Sequence, residues 1–381
     1  MRILTLSYEY PPIGGGGGRV AKNIAEQMAL RGHEVRVQTA ALGWHSTRER
    51  IAGVEICRTA SGRRAPDTCA VHEMGLYVAT SLLPALSHLR NWKPDVMHAH
   101  FAVPTGLLAW AAHRLTGAPY VLTAHLGDVP GGVPDQTERM FRFIDPIARQ
   151  IWQRAAAVTA VSSFVQDLAE RAYGRLPVRI LNGIDLSTEL APASRSGPDR
   201  QLVFVGRFNP QKRPLFLIEA LARLHTRNWS LTMIGDGPLM GGVRARIREL
   251  RLESRVTLTG WLDAPEVRRH LHHSDILCIP SASEGLPVAA IEALQHGLAI
   301  VGSAIPGLAD VVEDEINGSL APLDDNAAFS EKIDRLLGAE TVLRAMQEVS
   351  ARKARDFDLA ASAAEYERVL GEAAGRGGSV A

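Results

Sequence analysis

The segment Ser283-Glu284-Gly285-Leu286-Pro287-Val288-Ala289-Ala290-Ile291-Glu292 concentrates more chemistry than any other stretch of this 381-residue chain. Two carboxylates, Glu284 and Glu292, stand with seven residues between them. Pro287 suits the first turn of a helix that ends at Gly297. Glu284 then lies in the loop ahead of the helix, and Glu292 about a turn and a half inside it. The N–H groups of Leu286 and Val288 point outward at the helix start, where an anion is favoured. Carboxylates accept hydrogen bonds from vicinal hydroxyls, and helix N–H groups suit a phosphate. A sugar nucleotide, with hydroxyls at both ends and a diphosphate between, presents that combination. The plain alternative is an acid near a helix N-terminus plus a solvated helical Glu.

Two glycine-bearing loops add to this. In Gly206-Arg207-Phe208-Asn209-Pro210-Gln211-Lys212-Arg213-Pro214 two cations, Arg207 and Lys212, lie five residues apart in a loop stiffened by two prolines. Such a pair can neutralise a diphosphate, Arg through its fork and Lys as a point charge. A solvated basic loop is the alternative. The run Gly14 to Gly18 sits between a first strand and a first helix, and its N–H groups could receive an anion. Gly16, Gly18 and Ala21 satisfy a loose G-x-G-x-x-A pattern, but the next strand ends in Gln38-Thr39-Ala40. A nicotinamide unit requires an acid there. His98 and His100 share one strand face, which is too few ligands for a metal. The one D-x-D, Asp356-Phe357-Asp358, reads as a helix start.

The elements that must hold these residues alternate along the chain. Apolar runs without helical period mark strands at Ile3 to Ser7, Glu34 to Thr39, Val96 to His100, Tyr120 to Ala124, Val158 to Val161 and Arg179 to Leu181. A second series runs through Leu202 to Val205, Leu231 to Ile234, Val256 to Thr259, Ile276 to Ile279 and Ala299 to Val301. Helical periods lie between most of them, as in Val20, Ile24 and Met28 before Gly32, or Pro214 to His225. Ser163 with Gln166 reads as a capping box. Two βαβ series imply two α/β domains with parallel sheets, and about 100–200 residues per domain agrees with two. Ala191 to Arg200, rich in Pro, Ser and Gly, is the linker candidate. Ligands in such sheets bind beyond the strands' carboxyl ends, where all three loops sit.

Composition removes other classes. Lys plus Arg number 42 against 41 acids, a net charge of +1, without the basic excess of a nucleic-acid binder. Three dispersed cysteines, Cys57, Cys69 and Cys278, form no zinc pattern or disulfide framework and fit a reducing compartment. The longest uncharged apolar run, Ala102 to Ala112, is short of the roughly 18 residues a spanning helix needs. The N-terminus lacks the apolar run of a signal peptide. A cytoplasmic protein is expected, with peripheral contact at the inner membrane face open. Arg244, Arg246, Arg248, Arg251 and Arg255 could meet anionic lipid. Val243, Ile247 and Leu250 opposite them indicate instead a solvated face on a packed helix.

Taken together, these residues resemble the retaining glycosyltransferases of family 4. Glu284 and Glu292 resemble its E-x7-E motif. DVMHAHFAVPTG (95–106), TAHLGD (123–128), NGID (182–185), the GRFNPQK loop and GDGP (235–238) stand in the family's order along nearly the whole chain. The resemblance implies the GT-B fold, two Rossmann-like domains facing a cleft. It implies an acceptor domain at 1–190, completed by a crossover helix at about 358–381, and a donor domain at 191–357. Arg207 and Lys212 match the diphosphate clamp. Glu284 matches the contact to the donor sugar's hydroxyls, and Glu292 the contact to the ribose. Gly285, Leu286, Pro287 and Val288 match the backbone beside diphosphate and sugar. Gly15, Gly16 and Gly17 match the loop against diphosphate or acceptor. His125 matches a histidine close to the transferred sugar. Asp128 resembles an acid in related His-Gly-x-Asp sequences, with Leu126 here in place of Gly. Asp128, His100 and Asn182 are cleft-lining candidates.

The implied activity is retaining, metal-independent transfer from a nucleotide sugar (a UDP-sugar first, GDP-mannose next) to a saccharide, lipid-linked or small-molecule hydroxyl. That activity belongs to glycan or glycoconjugate biosynthesis. No cofactor is implied, since the nucleotide sugar is a substrate, and no nucleic acid. The alternatives are an NAD-dependent or nucleotide-sugar-modifying enzyme and a noncatalytic nucleotide-sugar-binding protein. The missing acid after the second strand and the absence of a Tyr-x-x-x-Lys pair count against the first. The intact Arg, Lys and two Glu count against the second.

Overall fold

The computed structural model describes residues 1–66, 68–186 and 199–377, with the side chains of 134–140, 142, 143, 376 and 377 left aside. The expected linker, Ala191 to Arg200, falls outside the described residues up to position 198. The chain forms two compact units, Met1–Gly183 with Leu359–Ala381, and Ile184–Asp358. The first division falls earlier than the 190/191 expected from the sequence. Where the chain passes between the units the two segments run side by side. Ile184 N–H donates to Phe357 O at 2.9 Å, and Ile184 pairs with Asp358 as an isolated bridge. A Cβ on Gly183 would stand 2.5 Å from Leu359 Cα, so only glycine permits this approach.

The first unit holds strands β1 (Arg2–Leu6), β2 (Glu34–Leu42), β3 (Thr47–Ile51), β4 (Val54–Arg63), β5 (Val96–His100), β6 (Tyr120–Ala124), β7 (Ala157–Ala160) and β8 (Val178–Arg179). Its α-helices are α1 (Gly16–Leu30), α2 (Val71–Ser87), α3 (Leu107–Thr116), α4 (Pro134–Arg154) and α5 (Ser163–Tyr173). The sheet order is β3-β4-β2-β1-β5-β6-β7-β8, parallel except for the antiparallel β3–β4 pair. Strands β5 and β6 are buried at every position, as near-continuous apolar runs in a doubly covered sheet should be. The hairpin β3–β4 is absent from the strands marked in the sequence. It turns at Ala52-Gly53, both with positive φ (48° and 81°), and β3, TRERI, has no buried residue.

The second unit holds β9 (Arg200–Val205), β10 (Trp229–Ile234), β11 (Val256–Gly260), β12 (Ile276–Ile279), β13 (Ala299–Ser303) and β14 (Gly318–Ala321). Its helices are α6 (Pro214–Leu221), α7 (Met240–Glu249), α8 (Ala264–His272), α9 (Val288–Gln295), α10 (Asn326–Gly338) and α11 (Glu340–Lys353). All its strands are parallel, in the order β11-β10-β9-β12-β13-β14. Leu202, Phe204, Leu217, Met233, Ile276 and Val301 are among the residues of its apolar core. Val243 and Ile247 of α7 are buried there, while Arg246 pairs with Glu219 at 3.3 Å and Glu249 at 2.7 Å. The arginine stripe is thus partly neutralised on the protein's own surface.

The last helix, α12 (Leu359–Gly377), returns to the first unit. Arg31 donates to Glu367 at 3.0 Å and to Ala360 O at 2.8 Å, and the buried Tyr366 ring lies 5.3 Å from that of His98. Two local readings shift. The cap of α5 is Ser162, whose hydroxyl accepts from Val165 N–H, while Gln166 donates to Pro177 O instead of closing a box at Ser163. Helix α1 begins inside the glycine run, at Gly16, so that part of the run is already helical. In each sheet the strand order reverses at one place, between β1 and β5 and between β9 and β12, which are the positions where open α/β sheets bind ligands.

Candidate active site

Each unit carries its own set of candidate residues at its reversal point. In the second unit the loop after β9 is clamped to the loop after β10. Phe208 N–H donates to Asp236 O at 2.8 Å, and a Cβ on Gly235 (φ +135°) would fall 2.0 Å from Gly206 O. The GRFNP and GDGP motifs are therefore two sides of one contact. Lys212 N–H donates to Asn209 Oδ1 at 3.0 Å, which closes the loop on itself.

From this loop Lys212 Nζ reaches Glu284 Oε1 at 2.6 Å. Ser281 Oγ donates to the same oxygen at 2.6 Å. Gln211 Nε2 to Ser283 O (2.9 Å) and Ala282 N to Gln211 O (2.8 Å) bind the two loops together. Glu284 is 5% exposed, so its charge is held by a cation and a hydroxyl rather than by bulk water. Gly307 passes so close that a Cβ on it would meet Glu284 O at 1.7 Å. A small cavity touches Val205, Lys212, Ile279, Ser281, Glu284 and Pro287, joining the carboxyl ends of β9 and β12.

Helix α9 follows at once. Pro287 is its N-cap (φ −71°, ψ 114°) and Val288 its first residue, one position later than Pro287 in the first turn. Gly285, Leu286 and Pro287 are buried and Val288 half-buried. Glu292 is buried inside α9, not solvated as the plain alternative required. Arg207 is half-buried, five residues before Lys212 on the same loop. The structure thus brings Lys212, Glu284 and the start of α9 to one place, with Arg207 and Glu292 on the same loop and helix.

In the first unit, β1 runs into Glu9, which is 5% exposed. Its Oε2 accepts from Gly15 N–H at 3.0 Å, and Arg63 lies 3.8 Å from Oε1. Gly14 (φ +97°) and Gly18 pack on Glu9, where a Cβ on either would come within 2.5 Å and 3.2 Å of it. The Gly15 N–H of the expected anion loop is therefore already taken by an internal carboxylate at the start of α1. Gly17 faces away from Glu9, toward Phe101 and His125.

His125 follows β6, and His100 ends β5. His100 Nδ1 and His125 Nε2 are 3.2 Å apart. Asp128 organises the surroundings. Its Oδ1 accepts from His125 and Leu126 N–H, both at 3.0 Å, and its Oδ2 from Ala102 N–H at 2.8 Å. Leu126 keeps its N–H on Asp128 and buries its side chain, so it fits where Gly was expected. His98 meets Thr123 Oγ1 at 2.8 Å. Burial, then the neighbouring His125, lowers the His98 pKa to about 3. Burial likewise holds His100 well below the usual imidazole range, with His98 and His125 adding to it. His125 is lowered by burial, against an opposing pull from Asp128 and Glu9. All three are neutral imidazoles near pH 7. Among the described residues no group of three or more His, Cys, Asp and Glu side chains could hold a metal ion. Asn182 is buried, in the segment whose Leu181 O accepts from Ser362 of α12.

Two family models match the chain. Glycosyltransferase Family 4 matches residues 14–188, and Glycosyl transferases group 1 matches residues 199–339. The chain belongs to the GT4-type glycosyltransferases. This glycosyltransferase is similar to the UDP-Gal:alpha-D-GlcNAc-diphosphoundecaprenol alpha-1,3-galactosyltransferase of Escherichia coli, 28% identical over 67% of this chain and 70% of that protein. It is similar to the glycogen synthase of Mycobacterium tuberculosis, 28% identical over 94% of this chain and 91% of that protein. Its fold is that of sucrose-phosphate synthase from Thermosynechococcus elongatus, with a TM-score of 0.85 at 20% identity over 97% and 98% of the two chains. The fold of this glycosyltransferase is therefore GT-B.

Glu9, Ser281 and Phe101 were not singled out in the sequence. Phe101 has φ 71°, a conformation rare for an aromatic residue, and its ring lies 4.3 Å from that of His125. The usable signal for Glu9 was its place between β1 and the glycine run.

Proposed function

We propose that this glycosyltransferase moves a sugar, with retention at the anomeric carbon, from a nucleoside-diphosphate sugar to a hydroxyl of a saccharide, lipid-linked or small-molecule acceptor. The observation that carries this reading is the Lys212–Glu284 pair, set at the reversal point of the second sheet beside the start of α9. Lys212 has donors to spare for phosphate oxygens, and Glu284 has a second oxygen for a sugar hydroxyl. Arg207, Lys212 and the 286–288 backbone stabilise the charge that builds on the leaving diphosphate, which is the largest single contribution in such transfers. The leaving phosphate takes the acceptor's proton. Glu292 takes the ribose, and His125 lies beside the transferred sugar. The cations supply the charge that a metal supplies elsewhere. A UDP-sugar is the proposed donor, in keeping with the UDP-Gal in a relative's name, and GDP-mannose the next. Work on the cytoplasmic side is proposed, and no described helix is long and apolar enough to cross a membrane.

The test is a thermal-shift series with UDP, GDP, ADP and NAD in metal-free buffer, each raised from micromolar to millimolar. A ligand at about 100 times its dissociation constant adds about 2.7 kcal/mol to the folded state. A shift with one nucleoside diphosphate and none with NAD is expected. A shift with NAD alone would overturn the reading. Arg207→Ala and Lys212→Ala should each lower turnover by about two to three powers of ten, and near-wild-type turnover in both would remove the clamp.

A further inference from the structure

His125 is fixed from two sides, and only one of its ring nitrogens takes part. Its backbone N–H donates to Asp128 at 3.0 Å, and its Nε2 lies 3.2 Å from His100 Nδ1. Its Nδ1 is on the side of Gly17, 3.4 Å from where a Cβ there would sit. His100 is completely buried, and its Nε2 has no hydrogen-bond partner among the described residues. Both rings are neutral, so the bond between them has two forms. Either His100 Nδ1–H donates to His125 Nε2, or His125 Nε2–H donates to His100 Nδ1.

The second form places a proton on His100 Nε2, leaving a buried N–H with no acceptor, which folded proteins rarely tolerate. It also turns a bare lone pair of His125 toward the loop that holds the Glu9 carboxylate. The positive end of α1 does not offset this, because Glu9 already caps it at Gly15. The first form leaves only a bare lone pair on His100 and directs a proton toward that loop.

We propose that His100 is a positioning residue that donates from Nδ1 to His125 Nε2 and so holds His125 in the tautomer presenting Nδ1–H. Resting on the reading of His125 as neighbour of the transferred sugar, the consequence is that His125 gives a hydrogen bond to a substrate oxygen and does not accept the acceptor's proton.

The test uses the full-length protein labelled with 15N-histidine and long-range 1H–15N correlation spectra, with His125 assigned by its loss in His125→Asn. The expected pattern is a protonated Nδ1 and a bare Nε2 on His125. A protonated Nε2 there overturns the proposal whether or not the protein transfers sugar, so this failure is separate from failure of the functional reading. His100→Asn keeps a donor near the Nδ1 position and should keep both the pattern and a kcat close to wild type. His100→Leu should lose the fixed tautomer and lower kcat about ten- to a hundredfold with the donor KM unchanged. An unaltered His125 spectrum in His100→Leu overturns the proposal. Should that variant not fold, the wild-type and His100→Asn spectra decide.

Discussion

Replacing Lys212 by Met leaves the Glu284 carboxylate in place without its cation. The side chains of Lys212 and Glu284 are 24% and 6% exposed and meet at 2.6 Å. Breaking a fully buried pair costs about 3–5 kcal/mol, and breaking an exposed one about 0–1 kcal/mol. Here the acid is buried and the base partly wet, and the Ser281 hydroxyl remains on the acid, so about 2 kcal/mol is expected. In a unit of this size (Ile184–Asp358), about 2–4 °C per kcal/mol applies, a fall of about 4–8 °C in the melting temperature. The double variant Lys212→Met/Glu284→Gln carries no orphaned charge and should recover at least half of that loss. The assay is equilibrium and thermal unfolding of the ligand-free protein, arranged as a double-mutant cycle. A Lys212→Met variant as stable as wild type, or a double variant whose loss is the sum of the singles, would refute the view that these residues form one coupled unit.

Other outcomes can be checked alongside. Gly307→Ala pushes a methyl into Glu284 O and should cost about 1–3 kcal/mol together with activity, whereas Gly338→Ala, with nothing within 4 Å, should cost nothing; urea unfolding of both reads the difference. His98, His100 and His125 all titrate below their ordinary value in the folded state. The unfolded chain therefore binds more protons, and stability present above pH about 6.5 is lost as pH falls, by up to about 1.4 kcal/mol per pH unit for each group until its folded-state pKa is passed, which for His98 is about 3; His98→Gln should flatten the urea midpoint against pH. Burial pushes the Cys278 thiol up to about 12, so the thiol stays protonated in the folded state and stability falls as pH rises above about 9. Cys278 should resist alkylation in the native protein and react on unfolding, which mass spectrometry reads.

Strands were legible where burial on both faces writes a continuous apolar run: β5, β6 and β12 lie at the positions the sequence marks. The edge hairpin was not, because TRERI is solvated throughout and its pairing is set by a turn with positive φ. The loops that carry Arg207, Lys212 and Glu284 were readable because they follow such strands directly. What the sequence withheld is which polar groups meet. Asp128 takes an N–H from Ala102, Glu284 takes the ammonium of Lys212, and His100 finds His125. Each pair comes from different strand ends, and only the sheet order makes them neighbours. Glu9 was hidden for the same reason, since its partner Gly15 is local but Arg63 arrives from β4.

The two side-by-side crossings at Ile184 and Asp358 make the second unit an uninterrupted insertion into the first. A ribosome therefore starts the first unit, makes the whole of the second, and only then supplies α12. At about 5–20 residues per second, residues 184–358 take about 9–35 s. Throughout that interval His98 waits without Tyr366, although every strand of its own sheet has already been made. The unit begun first is finished last, and the histidine pocket closes only around a chain translated as far as its final helix.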